Sequence, residues 1–188
     1  MTVIKTRILE SSMDALSIEI FIIPFIVLIL VAMAYVYFQR QVADVNEYKG
    51  FVFNIVLTAF MFNLLWEIAH GFLYEGFQYD LKHIAFCALA TVADVLMVLL
   101  LFFGFAILYK DVYWIRELNI RRLALLVAIG TVGAILAEIW HTSRGDWAYA
   151  ANMPLLPFVK VGVSPVVQFA LLPWLIFSAV VKKMKSPR

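Results

Sequence analysis

The chain has 188 residues, of which 64% are hydrophobic and only 15% are charged, against about 25% charged residues in an average globular protein. This composition excludes an ordinary soluble domain and indicates an integral membrane protein. The net charge of +2 is too small to suggest a nucleic-acid partner, and the single cysteine, Cys87, excludes an intrachain disulfide.

The predicted elements are all helical. Residues 1–17 mix apolar and charged side chains at a spacing that predicts an amphipathic helix on the membrane surface. Five apolar runs follow, and each approaches or exceeds the ~20 residues that cross a hydrocarbon layer about 30 Å thick. We therefore predict an all-α bundle of one domain, residues 1–188, with five transmembrane helices. The predicted spans are residues 18–38, 51–69, 84–109, 123–140 and 165–181.

The fourth predicted span and the connection after it have unusual compositions. Gly130, Gly133 and Ala137 lie at helical spacing, which predicts close approach of a neighbouring helix. The connection, residues 142–164, is too apolar for a solvated loop, and its Gly and Pro content argues against two further crossings. We predict that it forms an interfacial or re-entrant lid over the outer end of the bundle.

The basic residues predict the orientation, because short loops rich in Lys and Arg stay in the cytoplasm. Five spans divide the connections and tails into two sets, which hold ten and five Lys and Arg residues. The set with ten includes the C-terminal tail. We therefore predict a protein of the bacterial inner membrane with its N-terminus outside and its C-terminus in the cytoplasm.

Polar side chains recur at spacings of three, four and seven residues, so that each set shares one helical face. These stripes occupy four of the five predicted spans. They comprise Asn63, Glu67 and His70 in the second span, Cys87, Thr91 and Asp94 in the third, Thr131, Glu138 and His141 in the fourth, and Ser164 and Gln168 in the fifth.

Three carboxyl groups of these stripes lie at membrane depth. From a rise of ~1.5 Å per residue, Glu67 and Glu138 lie ~9 Å outward of the midplane and Asp94 lies within ~3 Å of it. An acid at such a depth costs about 2.5–3.5 kcal/mol on insertion scales, so it normally faces the interior of a bundle. We predict that the stripes surround one polar pocket that opens outward.

Such a pocket predicts acid–base catalysis without a cofactor. A protonated carboxylic acid can deliver a proton to an alkene, epoxide or carbonyl while a second group removes one. The substrate would be a membrane lipid or isoprenoid that undergoes cyclisation, isomerisation or hydration. The candidate catalytic residues are Glu67, Asp94 and Glu138. The candidate substrate-binding residues, whose aromatic members can stabilise developing cationic charge, are Asn63, Trp66, Trp140, Trp147, Tyr149 and Gln168.

A repeated Glu-x-x-His spacing supports a second hypothesis, a di-iron oxidoreductase. Glu67 with His70 and Glu138 with His141 match the pairs that ferritin-like bundles use to bind two metal ions, together with two further acids. Asp94 supplies one of those acids and leaves the count one short. A third hypothesis is a small transporter or accessory subunit whose polar residues relay protons or tie helices together. Each hypothesis is compatible with a homo-oligomer.

Several motifs resemble those of one protein family. They are Asn-x-x-Trp-Glu at 63–67, Asp-Val-Leu at 94–96, and Gly-Asp-Trp-Ala-Tyr, Met-Pro and Ser-Pro-x-x-Gln between 145 and 173. With these motifs the chain resembles a family of small bacterial integral membrane proteins that has no established activity. The resemblance implies that the residues at the positions of His70 and His141 vary within the family. This favours the acids Glu67, Asp94 and Glu138 as the functional groups.

A weaker similarity, limited to the Trp-Glu pair that ends at Glu67, is to the integral-membrane terpene cyclases of fungal meroterpenoid pathways. Those enzymes also carry Trp-Glu in an early span. The similarity implies that an intramembrane acid protonates an epoxide or an alkene. It concerns the site alone and implies no common fold.

Overall fold

The structure is a computed structural model of the chain and describes residues 22–185. The predicted surface helix, residues 1–17, and the first residues of the predicted first span lie outside the described residues. Within the described range the chain is helical, and β-type pairing is limited to two isolated bridges. The prediction of an all-α fold is confirmed.

Residues 22–185 form five α-helices, and each is long and apolar enough to cross a membrane. Two short 3₁₀ helices, Gly71–Leu73 and Trp114–Glu117, lie in the connections. The five-span prediction is therefore confirmed, and the chain has the architecture of an integral membrane protein. The helices are α1 (Ile22–Gln39), α2 (Val45–His70), α3 (Leu81–Tyr109), α4 (Ile120–Arg144) and α5 (Val163–Lys185).

Capping residues set several helix ends. Asp44, Asp80 and Asn119 precede α2, α3 and α4, and the side chain of each accepts hydrogen bonds from backbone N–H groups of the first turn. Gly145 follows α4 with a φ of 75°, a left-handed conformation that glycine adopts without steric cost. These caps extend the helices beyond the apolar runs that predicted them.

The hydrophobic core lies mainly where α2, α3 and α5 meet. α2 packs against both α3 and α5, α1 packs against α3, and α4 packs against α5. Trp114, in the connection between α3 and α4, is fully buried against the rings of Phe102 and Phe177. Its indole N–H donates to the carbonyl oxygen of Phe102 at 3.0 Å, which satisfies the polar atom of this large side chain.

The contact between α4 and α5 depends on Gly130. A Cβ atom at Gly130 would lie 2.2 Å from the carbonyl oxygen of Phe169, so the two backbones touch there. At Gly133 nothing lies within 4 Å of the corresponding position, and Ala137 is exposed. The prediction of close packing is confirmed at Gly130 and is wrong at the other two positions, where no neighbouring helix comes as close.

Two connections meet at one end of the bundle. The backbone N–H of Glu75 donates to the carbonyl of Ala148, and that of Ala150 donates to the carbonyl of Leu73, both at 2.9 Å. These bonds pair the α2–α3 connection, residues 71–80, with the α4–α5 connection, residues 145–162, which we call the lid segment. The lid segment thus lies across the end of the bundle where α2 and α4 finish.

Candidate functional site

Polar side chains from three helices meet at the amide group of Gln168. This side chain is 2% exposed and lies near the start of α5. Its Nε2 atom lies 3.0 Å from Oδ1 of Asn63, 3.2 Å from Oε1 of Glu67 and 3.1 Å from Oδ2 of Asp94. The predicted stripes of the second, third and fifth spans therefore face one another. We call these four residues the amide–carboxyl cluster.

Neighbouring polar groups bond within their own helices. Asn63 is fully buried, and its Nδ2 donates to the carbonyl of Ala59 at 2.8 Å. The hydroxyl of Thr91 donates to the carbonyl of Cys87 at 2.8 Å. Both bonds satisfy a buried donor locally. Within the amide–carboxyl cluster, Gln168 is the side chain that joins α2, α3 and α5.

His70 connects Glu67 to the start of α5. The residue is 6% exposed; its Nε2 lies 3.0 Å from Oε1 of Glu67, and its Nδ1 lies 2.8 Å from the hydroxyl oxygen of Ser164. Both ring nitrogens thus have a partner. The Glu67 carboxyl group and the Ser164 hydroxyl group therefore fix the orientation of the ring. The carboxyl and imidazole groups of the first Glu-x-x-His pair are therefore in direct contact.

Glu138 binds the lid segment. The residue is 7% exposed on α4. Its carboxyl oxygen Oε2 accepts a hydrogen bond from the indole N–H of Trp147 at 3.2 Å and another from the hydroxyl of Tyr149. Two of the predicted substrate-binding aromatic residues therefore point inward and are fixed by a predicted catalytic acid.

The second Glu-x-x-His pair does not form a matching contact. Nδ1 of His141 lies 2.7 Å from a carboxyl oxygen of Asp146, and its ring stacks on that of Trp147 with the centroids 4.3 Å apart. Asp146 thus takes the role toward His141 that Glu67 has toward His70. Sequence spacing alone did not indicate this partner, since Asp146 lies beyond the end of α4.

Two predicted substrate-binding residues lie at the edge of the site or outside it. Trp140 is 50% exposed, and the Arg144 guanidinium lies 5.4 Å from its ring centroid. Trp66 packs partly against the core, with its ring 6.3 Å from that of His70. Its indole N–H is buried and has no hydrogen-bond partner among residues 22–185. The structure therefore brings Trp66 near the site and leaves Trp140 on the outer surface.

Sequence reasoning missed Tyr74, which lies between the two groups of acids. Its ring centroid lies 5.4 Å from that of His70 and 5.7 Å from that of Tyr149. Burial raises the pKa of Tyr74, and the carboxyl groups of Glu138 and Glu67 raise it further. The phenol therefore stays neutral and can donate a hydrogen bond. Its spacing of four residues from His70 was the one signal in the sequence.

Tyr149 has a similar electrostatic environment. Burial raises the pKa of its hydroxyl group, and the hydrogen bond to Glu138 raises it further. Tyr149 therefore remains a donor to that carboxyl group. Two neutral phenols and the indole of Trp147 thus border the carboxyl groups on the side of the lid segment.

Within residues 22–185, no three or more His, Cys, Asp and Glu side chains are grouped so that they could hold a metal ion. The imidazole of His70 contacts Glu67 and Ser164, and the imidazole of His141 contacts Asp146.

Fold and site together define the class: a five-helix integral membrane protein with carboxyl groups, one buried and two partly buried, between its helices. Comparisons with protein-family models, with curated proteins and with solved structures found no match. The chemistry of the site therefore carries the functional argument.

Proposed function

We propose that the chain is a membrane-embedded enzyme that uses carboxylic acids for proton transfer on a lipid-soluble, isoprenoid-type substrate. The observation that carries the proposal is that Glu67 and Asp94, on different helices, accept from the same nitrogen of Gln168. An amide –NH₂ group has two hydrogens, whereas three oxygens approach this one. A proton on one carboxyl group supplies the missing donor.

Accessibility separates the reacting groups from their supports. Gln168 and Asn63 are buried, at 2% and 0% exposure. By contrast, the side chain of Glu67 is 16% exposed, and Asp94 is also partly accessible. A small molecule can therefore touch the acids but not the amides that orient them. This division suits acids that react with a substrate better than acids that only tie helices together.

The proposed reaction adds one proton to the substrate and removes another proton from it. Asp94, near the middle of α3, gives its proton to an alkene carbon of the substrate, so that the π bond breaks and a new C–H bond forms. Glu67, hydrogen-bonded to His70, then removes a proton from a neighbouring carbon, or directs water to the cation that forms. The overall reaction is an isomerisation, a cyclisation or a hydration.

Aromatic side chains support the cationic stage of this reaction. Tyr74 and Trp147 present rings beside the acids, and ring faces attract positive charge. Glu138 holds Trp147 and Tyr149 in place through its two hydrogen bonds. We assign Glu138 as the partner carboxylate of the site.

Deuterium incorporation tests the proposal. Purified protein in lipid nanodiscs would be incubated in D₂O with isoprenoid-rich lipid extracts, and mass spectrometry would report deuterium bound to carbon. We expect incorporation by the unmodified protein and a loss of at least about 100-fold in Asp94→Asn and Glu67→Gln, the lower range for removing a general acid or base. Glu75→Gln, an exposed acid at the same end of the bundle, is the matched control.

Other outcomes of the same preparation would reject the proposal. Equal incorporation by Asp94→Asn and the unmodified protein would remove Asp94 from the reaction. About two equivalents of iron, lost in a His70→Ala, His141→Ala double variant, would establish the di-iron oxidoreductase instead. A stoichiometric protein partner without any lipid turnover would indicate an accessory subunit.

We also propose membership in the family of small bacterial membrane proteins that the chain resembles. The support is spatial: Asn63, Glu67, Asp94 and Gln168, which all belong to the shared motifs, are the four residues of the amide–carboxyl cluster. Substitution of each in a second member of that family should cause the same loss of deuterium incorporation.

The location proposed for the protein is the bacterial inner membrane, with the N-terminus outside and the C-terminus in the cytoplasm. The two-to-one distribution of basic residues between the two sets of connections and tails supports this orientation. The site then faces outward, because α2 and α4 end beside it. A fluorescent reporter fused after residue 188 should be active, and an alkaline phosphatase fused there should be inactive; the reverse pattern would invert the orientation.

A further inference from the structure

The lid segment contains a small hairpin. Leu155 and Gly162 form an antiparallel bridge, and the backbone N–H of Leu156 donates to the carbonyl of Val161 at 2.7 Å. A further bond joins the N–H of Val163 to the carbonyl of Pro154 at 2.8 Å. We call residues 154–162 the lid hairpin. Its backbone bonds give it a defined shape.

The base of the lid hairpin is fixed in the bundle. Val161 is 2% exposed and packs with Ala134 of α4 and Val166 of α5. At Gly162, a Cβ atom would lie 3.0 Å from the ring of Tyr149 and 3.1 Å from the sulfur of Met153. The base therefore abuts the residue that bonds to Glu138.

The tip of the lid hairpin is apolar and fully outside the bundle. Phe158 is 100% exposed, and Leu155 and Val159 are 47% and 42% exposed. Phe158 and Lys160 have φ angles of 71° and 54°, in a region that non-glycine residues seldom adopt because it is strained. The backbone at the tip of the lid hairpin is therefore strained, and the side chain of Phe158 remains exposed.

The position of the lid hairpin identifies what covers this tip. Gly162 is followed directly by Val163, the first residue of a helix that can cross the membrane, so the hairpin lies where that span leaves the hydrocarbon. Aromatic and Lys side chains are typical of this level, since rings enter the lipid and ammonium groups reach the anionic headgroups.

We propose that the lid hairpin is a membrane-surface anchor, in which Phe158, Leu155 and Val159 insert into the bilayer surface and Lys160 contacts lipid headgroups. The partner is the bilayer itself. This inference goes beyond the proposed function and does not depend on it, because it needs only a membrane-spanning bundle. Since the hairpin base abuts Tyr149, the anchor also fixes the lid segment over the acids.

Site-specific fluorescence tests the anchor. In a Cys87→Ser background, Phe158→Cys would carry an environment-sensitive NBD label, and the labelled protein would be placed in phosphatidylcholine–phosphatidylglycerol vesicles. We expect blue-shifted emission that is largely lost when the lipids carry nitroxide groups near the headgroup. A label at Glu75→Cys, in the exposed part of the α2–α3 connection, is the control and should respond to aqueous iodide instead.

A second reporter covers the case in which Phe158→Cys does not fold. Val159→Cys in the same background leaves Phe158 intact and should show the same lipid quenching. The anchor is rejected if labels at both tip positions respond to iodide and to nitroxide lipids as the Glu75→Cys label does. Because the readout is depth and not turnover, it is independent of the deuterium experiment.

Discussion

The carboxyl group of Asp94, near the middle of α3, and the side-chain amide of Gln168, near the start of α5, meet at 3.1 Å. The same amide reaches Asn63 and Glu67 on α2. One buried side chain thus joins the three helices that form most of the core. The stability of the bundle and the geometry of the acids depend on the same atom.

Replacing Gln168 with Ala should destabilise the protein by about 1–3 kcal/mol, because three oxygens lose a shared donor inside the bundle. This exceeds the roughly 0.6 kcal/mol of an average hydrogen bond between membrane helices. Unfolding in mixed micelles would measure the difference. Gln41→Ala, an exposed position after α1, should change little; equal stability of both variants would show that the cluster contributes nothing.

A single methyl group on α4 should separate it from α5. Gly130→Ala places a Cβ atom 2.2 Å from the Phe169 carbonyl oxygen, so the helices must move apart, at about 1–3 kcal/mol for such overpacking. Gly133→Ala meets nothing within 4 Å and should be neutral or stabilising by up to about 1 kcal/mol through helix propensity. Thermal unfolding of the two variants should therefore diverge, and similar melting temperatures would contradict the close contact.

Removing the Tyr149 hydroxyl should loosen the lid segment. Tyr149→Phe keeps the ring beside Tyr74 but deletes a hydrogen bond to Glu138. Hydrogen exchange should then accelerate at the backbone amides of Glu75 and Ala150, which pair the two connections. Tyr37→Phe, at an exposed residue of α1, is the control. Unchanged exchange at both amides would mean that the backbone bonds alone hold the lid.

Asp80 should stabilise the folded protein near neutral pH, and this contribution should be lost at low pH. The backbone N–H of His83 donates to Asp80 at 2.9 Å and lowers the pKa of its carboxyl group, and the His83 side chain lowers it further. A folded-state pKa below the unfolded value of about 3.9 means that the stabilisation is complete above that value. It is lost as the pH falls through the lower folded-state pKa.

The Asp80→Asn variant tests this pH dependence. Asn still caps the helix but does not titrate in this range. Its unfolding free energy, measured from pH 7 to below the folded-state pKa, should fall less steeply on the acid side than that of the unmodified protein. Parallel curves would show that the cap does not titrate with folding.

Hydropathy predicted the five helices, and their ends differ for local reasons. α2 begins at Val45, six residues before the predicted span, because Asp44 caps it and its first turns carry Glu47 and Lys49. α4 continues to Arg144 because helix formation tolerates the polar residues after Trp140 until Gly145 takes a left-handed conformation. Hydropathy identifies the residues that can be buried in lipid. It does not identify the residues at which the backbone hydrogen bonds of a helix begin and end.

Helical periodicity also predicted most of the site. Asn63, Glu67, Asp94 and Gln168 meet as their spacing indicated, because a polar stripe in a membrane helix is satisfied by facing another stripe. Tyr74 and the partnership of His141 with Asp146 were not predictable, because both depend on how two connections pair across the end of the bundle. Such pairing has no signature within either segment.

Within the described residues, α4 packs closely against α5 alone, whereas α2 and α3 are enclosed by several neighbours. At Gly130 no side chain separates the two backbones, so this point can serve as a pivot. A small rotation of α4 about Gly130 would move Glu138 outward, while Asp94 on α3 and Glu67 on α2 would keep their positions. Such a rotation would open a sideways path between α4 and the rest of the bundle without unfolding any helix.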